Sequence, residues 1–242
     1  MSRTLGRIAA IGLTVGVVSL SLAWALGGRD FRSMLADSRP WSHACDKAVG
    51  GATERHLAWS GDSIDIALPA TVRFRAGDGS DIVVRGASGA IANVAVRGRH
   101  LVLDCRWSGA ARDIEVLLPG KAFRRIGISG SAKVIMEKLD QRELALAVSG
   151  SGSLAGQGTV DRLSVTVSGS GNARLAEVST NKLTVKISGS GDVEAAPRDE
   201  ADITISGSGN VRLLSRPERL KTHVAGSGRI SQLPVESADG KK

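Results

Sequence analysis

Aromatic residues are scarce in this chain of 242 residues, which has no tyrosine, 3 Phe and 4 Trp. A core must therefore be built from Val, Ile, Leu and Ala. A binder of single-stranded nucleic acid interleaves basic side chains with aromatics on which bases stack, and no such cluster occurs. Sugar platforms also want aromatics, and beyond the N-terminal segment only Trp41, Trp59, Trp107, Phe31, Phe74 and Phe123 remain. Cysteine is limited to Cys45 and Cys105. His43 lies two residues from Cys45, too sparse a pattern for a zinc site.

What is abundant is glycine, at 30 residues, together with β-branched side chains. That mixture suits many short strands and tight turns. The chain is basic, with 32 Lys and Arg against 24 Asp and Glu, a net +8. Such a surface attracts anions in general, including nucleic acid, anionic lipid and acidic polysaccharide; its plainest reading is a solvated, mildly basic exterior.

The N-terminus reads as an export signal. Arg3 and Arg7 precede 19 uncharged, mostly apolar residues from Ile8 to Leu26. That length is long for a signal-peptide core and just enough to span a bilayer. Ala23-Trp24-Ala25 has the small-x-small pattern of a signal peptidase site, and Arg29 and Arg32 blunt the charge asymmetry of an anchor. Cleavage after Ala25 is preferred over retention, and no cysteine near it suggests a lipoprotein. Residues 1–25 are thus a signal peptide or N-terminal membrane anchor, and the protein is expected in the periplasm or cell envelope. In that oxidising compartment Cys45 and Cys105 form a candidate disulfide; the alternative is two unpaired thiols.

The dominant feature is a repeat. "RRIGISGSAKV", "ELALAVSGSGSL", "RLSVTVSGSGNARL", "KLTVKISGSGDVEA", "ADITISGSGNVRL" and "LKTHVAGSGRI" recur with a period of 18 to 20 residues. An alternating triplet precedes each turn, such as Leu144, Leu146, Val148 and Leu163, Val165, Val167. One apolar and one polar face at period two is a half-buried strand. A second short strand follows each turn, and the remainders, such as "AEVSTN" and "AAPRDE", read as loop. No unit covers its own apolar face, so units must stack as a solenoid, and coils of this length without a helical stretch predict a β-helix. The serines between the glycines, Ser131, Ser151, Ser170, Ser190, Ser208 and Ser227, form a structural turn ladder whose hydroxyls can reach the adjacent coil.

Sharper chemistry is poorly supported. "SGSGSLAG" mimics the spacing of a dinucleotide fingerprint but opens no helix. Calcium repeats need a recurring Asp, yet the position after the second glycine reads Lys133, Ser153, Asn172, Asp192, Asn210, Arg229. "GDGSD" at Gly77 to Asp81 reads as a hairpin turn. A polysaccharide-active enzyme would need clustered carboxylates, whereas Asp192, Glu194, Asp202 and Glu177 are scattered. No catalytic, metal or cofactor-binding residue is assigned and no cofactor is expected.

Residues 55–120 read as irregular strands, and residues 26–54 as a linker. An export signal, the segment "HLVLDCRWSGAARDIEVLLPGKAFRRIGISGSAKV" and tandem "[VI]SGSG[ND]" turns together resemble the head GIN domain family, bacterial envelope proteins labelled "putative autotransporter adhesin". The resemblance covers roughly residues 55–235 and implies a right-handed β-helix outside the cytoplasm, with no catalytic residues to carry over. The expected organisation is one β-helical domain over 55–235, with irregular coils 55–120, regular repeats 121–235 and a tail 236–242. The chain ends soon after the last coil, without the barrel an autotransporter uses. That favours a periplasmic or inner-membrane-tethered protein over one that secretes itself to the surface. A non-enzymatic envelope protein is expected, an adhesin-like or scaffold module with a glycan or protein partner and no nucleic acid. The alternatives are a polysaccharide-active β-helix enzyme and a membrane-tethered sensor partner.

Overall fold

The structure, a computed structural model, describes residues 44–45, 53–77, 79–106, 113–120 and 122–233. The expected signal segment 1–25 and the tail 236–242 lie outside the described residues, as does most of the linker. The first half supplies β1 (Glu54–Ala58), β2 (Ser63–Ala67), β3 (Thr71–Arg75), β4 (Asp81–Gly86), a four-residue helix α1 (Ser88–Ile91), β5 (Val94–Arg97), β6 (His100–Leu103), β7 (Ile114–Leu118) and β8 (Arg125–Gly130). The second half supplies β9 (Lys133–Gly150), β10 (Ser153–Gly169), β11 (Asn172–Gly189), β12 (Asp192–Gly207), β13 (Asn210–Leu213), β14 (Arg219–Gly226) and β15 (Arg229–Gln232).

Parallel coils stack into a β-solenoid of about five turns. Equivalent positions fall in register, so Lys133, Ser153, Asn172, Asp192, Asn210 and Arg229 lie one above another. Each coil has a limb before its glycine corner, limb A, and a limb after it, limb B. The apolar triplets of limb A point inward and are buried, Leu163, Val165 and Val167 being 2% exposed or less. Limb B contributes Val134, Leu154, Ala173, Val193 and Val211, each no more than 1% exposed. Burying a Val or Leu side chain is worth about 1.5–3 kcal/mol, so the two facing columns dominate the stability of the stack.

The segments read as loops are strand instead. "AEVSTN" lies within β11 and "AAPRDE" within β12. The chain bends there with slips in the β11–β12 register between Leu175 and Ser179 and between Thr180 and Lys182, and side chains bridge neighbouring coils at the bend. The buried Thr180 hydroxyl lies 3.1 Å from the Lys182 carbonyl and 3.3 Å from that of Asp161, while Asn181 Nδ2 donates to Asp161 Oδ1 at 2.8 Å.

The first half joins the same stack, but not in chain order. The coil made by β2 and β3 sits between the β6–β7 coil and the β8–β9 coil. β2 pairs in parallel with β6 and β8, and β3 pairs in parallel with β7 and β9. Antiparallel pairs β4–β7, β1–β4 and β5–β6 continue the sheet beyond that end. Because β7 lies between β3 and β4, "GDGSD" is not the turn of a paired hairpin, contrary to the sequence reading. Trp59, Phe74 and Phe123 pack together inside this half, with ring centroids 6.4 Å (Trp59–Phe123) and 5.7 Å (Phe74–Phe123) apart. Cys45 and Cys105 are bonded, with Cα atoms 5.0 Å apart, beside a bridge between Ala44 and Arg106. At the far end the terminal coil leaves Leu220 and Val224 40% and 42% exposed.

Candidate functional site

The Ser-Gly-Ser-Gly corners are built by their glycines. Gly130, Gly150, Gly169, Gly189, Gly207 and Gly226 stack in one column with φ between +110° and +132°. Only glycine adopts that conformation without strain. The second glycine of each corner has ordinary φ but no room: a Cβ on Gly152 would stand 2.6 Å from Ile128 Cγ2 and 2.9 Å from the Ala132 carbonyl. Main-chain bonds join successive corners, the amides of Ser151, Ser170, Ser190 and Ser208 donating to the glycine carbonyl of the preceding coil at 2.8 to 3.0 Å. The side chains of Ser131, Ser151, Ser170, Ser190, Ser208 and Ser227 are exposed.

The two outer faces differ in chemistry. On limb A the outward columns run Ala145, Ser164, Thr184, Asp202; Ala147, Thr166, Lys186, Thr204; and Ser149, Ser168, Ser188, Ser206. These three columns form a regular array, mostly of short hydroxylated side chains with Lys186 and Asp202 among them, at the roughly 4.8 Å spacing of neighbouring strands; a fourth outward column, Glu143, Arg162, Lys182 and Glu200, is charged, with Arg162 Nη2 2.6 Å from Glu143. On limb B the outward positions of the first half carry ion pairs across successive strands. Arg85 Nε donates to Glu54 at 2.7 Å, Arg73 Nε to Glu115 at 2.9 Å, and Arg75 Nη2 to Glu137 at 2.6 Å. The hydrogen bond from Arg85 holds the Glu54 carboxyl below its usual range, and Arg75 does the same for Glu137; Arg85 is raised in turn by its bond to Glu54.

A groove of about 410 Å³ opens on limb B where Gly156 contributes no side chain, and Glu137, Arg174, Glu177 and Glu194 line it. Its carboxylates are largely committed to neighbours: Glu137 to Arg75, and Glu194 to Arg212 at 3.3 Å. A general acid needs a carboxyl pushed up to hold its proton at neutral pH; Glu137 is pushed the other way.

A second charged centre lies at the N-terminal end of limb A. Asp65 stands at an outward position of β2 yet its side chain is only 11% exposed. Its carboxylate fits over Gly127, where a Cβ would overlap Asp65 Oδ1. Three basic groups converge on it: Arg99 Nε at 2.7 Å, His100 Nδ1 at 3.9 Å and Arg125 Nε at 4.0 Å. Arg125 Nε is buried and has no hydrogen-bond acceptor.

The family described as "Putative auto-transporter adhesin, head GIN domain" matches residues 62–217. The chain belongs to this family. Among solved structures, a putative adhesin from Bacteroides fragilis matches at 17% identity with a TM-score of 0.61, covering 74% of this chain and 96% of that one. A putative lipid binding protein from Parabacteroides distasonis matches at 18% identity with a TM-score of 0.47, covering 75% and 96%. At these identities the first likeness establishes the fold alone. No curated protein matches the chain.

Within this head GIN domain two of the carboxylates singled out from sequence, Glu177 and Glu194, line the limb B groove with Glu137 and Arg174, and the other two lie outside it. Asp192 and Glu194 lie on limb B, where Asp192 accepts from the Asn210 side chain at 2.9 Å; Glu177 lies at the bend; Asp202 is on limb A. No group of three or more His, Cys, Asp or Glu that could hold a metal occurs among the described residues. The Asp65 centre escaped the sequence reading, because "SIDIALP" places Asp65 at an ordinary outward strand position. Gly127, a glycine at an outward position inside β8, was the available signal.

Proposed function

We propose that this chain is a non-enzymatic envelope protein whose limb A face binds an extended polymer of the cell envelope. The carrying observation is the array, mostly Ala, Ser and Thr with Lys186 and Asp202, that repeats from β9 through β12 on that face. Short side chains lose little rotamer freedom on binding, and hydroxyls both donate and accept hydrogen bonds. A face that repeats along the solenoid axis matches a ligand that repeats, which in an envelope is a glycan chain. The export signal read over residues 1–25 supports location outside the cytoplasm. In the limb B groove, Glu137 held by Arg75 and Glu194 held by Arg212 support binding rather than turnover.

The test is binding of the full chain to envelope polysaccharide of its host, followed by affinity electrophoresis. Thr166→Glu, which puts length and charge into the middle of the array, is expected to abolish retardation. Arg174→Glu on limb B is expected to leave it unchanged. The reverse pattern would overturn the assignment of the binding face.

A further inference from the structure

We infer that Arg99, His100 and Arg125 form an anion-binding subsite at the N-terminal end of limb A that takes the carboxylate of an acidic sugar unit. This rests on the reading of limb A as a glycan-binding face and names the class of glycan.

Charge count is the first argument. One carboxylate, Asp65, serves two arginines and a histidine, so the centre carries at least one uncompensated positive charge even with His100 neutral. Neighbouring pairs do not relieve it: Asp104 is engaged with Arg97 at 2.9 Å, and Asp62 lies beside Arg124 at 3.7 Å. Geometry is the second. Asp65 is closest to Arg99 at 2.7 Å and stands 4.0 Å from Arg125 Nε, so its carboxylate does not hold the Arg125 guanidinium at hydrogen-bond distance. The three basic side chains remain 57%, 51% and 44% exposed, while the aspartate beneath them is nearly covered. The outermost layer is thus cationic, and guanidinium groups offer paired donors to a carboxylate.

Position is the third argument. His100, Asp65 and Gly127 occupy the same outward column as Ala147 and Thr166, so the cationic centre continues the hydroxylated array instead of standing apart from it. A depression of about 380 Å³ adjoins it, lined in part by Trp59, Ser63, Val96 and Arg99 and by Asp62, whose carboxylate lies 3.7 Å from Arg124. That depression can seat a sugar ring while Arg99 meets its acidic group. A membrane surface fits less well, since the exposed large apolar side chains among the described residues are Leu220, Val224 and Leu233, all in or beside the terminal coil at the other end of the stack.

The experiment titrates the full chain with polygalacturonate, and with the same polymer after reduction of its carboxylates to alcohols, at low salt. The intact polymer is expected to bind at least tenfold more tightly than the reduced one. Arg125→Gln leaves Asp65 paired with Arg99 and should keep the fold, verified by its melting curve; it should weaken the intact polymer about tenfold and the reduced polymer hardly at all. Arg212→Gln on limb B removes the same charge elsewhere and should change neither. Equal binding of both polymers, or an Arg125→Gln variant indistinguishable from the parent, would overturn the subsite and leave the glycan reading standing. No binding of either polymer or of host polysaccharide would overturn both. Retention on phosphatidylglycerol vesicles with the same Arg125 dependence, without polymer binding, would replace the sugar with a lipid surface and refute the inference.

Discussion

The corner glycines are held by two physical causes, and single alanine substitutions separate them. Gly130→Ala places a side chain at φ +110° with no atom within 4 Å of the new Cβ, so its cost is backbone strain alone. Gly152→Ala meets Ile128 and Ala132 at ordinary φ, so its cost is crowding alone. Gly169→Ala combines φ +121° with a Cβ 2.7 Å from the Gly150 carbonyl, a main-chain atom locked into the coil below. Strain at such a φ costs about 1–3 kcal/mol. Forcing a methyl group into a packed site costs about 1–3 kcal/mol. Gly169→Ala should then lose about 2–6 kcal/mol, and the two partial variants about half of that each. For a domain of this size the larger loss lowers the melting temperature by about 10 °C. Urea unfolding followed by far-UV circular dichroism reads all three. If Gly169→Ala costs no more than Gly130→Ala, the close stacking of coils at the corner is not what selects glycine there, and the reasoning fails.

Other expectations follow from the same geometry. The bond between Cys45 and Cys105 closes a separation of 60 residues, so Cys45→Ser, or reduction, should cost about 4 kcal/mol on the loop-entropy estimate; an unchanged melting curve under reductant would contradict this. Glu54 and Glu137 have carboxyls lowered by their arginine partners. Their contribution is present above the ordinary carboxylate range and lost as pH falls through the lowered values. Melting temperature should therefore drop below about pH 4, and Glu137→Gln should flatten that drop; a profile of identical shape would refute it. Gly127→Ala should destabilise by about 1–3 kcal/mol through overlap with Asp65, and the loss should shrink in an Asp65→Ala background. Additive effects would show that the two residues do not compete for space.

The regular half of the fold was legible because its pairing is local: each coil rests on the one completed some 19 residues earlier, and the repeat displays the register directly. The buried triplets, the corner glycines and the drift to Ala132 in the first coil all follow from that period. Ala132 is tolerated where a later coil has glycine because no glycine corner lies beneath it. The bends at Ala176–Asn181 and Ala195–Glu200 looked like loops because their side chains are polar. Their backbones nevertheless remain strand, with slips in register, and Thr180 and Asn181 turn polarity into bridges between coils. The placement of β2 and β3 was not legible, since alternation reveals a buried face but not which strand covers it. The Asp65 centre depends on that placement: only when β2 lies between β6 and β8 does Asp65 meet both Arg99 and Gly127.

The slotted coil also has a consequence in time. From β9 onward every new coil finds its docking surface already made, so that half can zip as the chain emerges. Thr71 and Arg75 of β3 wait for Lys133 and Glu137, 62 residues later. At synthesis rates of about 5–20 residues per second that is a delay of roughly 3–12 s. Throughout it, Val72 and Phe74, destined for the core, have no coil above them. Folding that follows chain order would thus leave the earliest-made strands uncovered until the first glycine corner, at Gly130, has emerged.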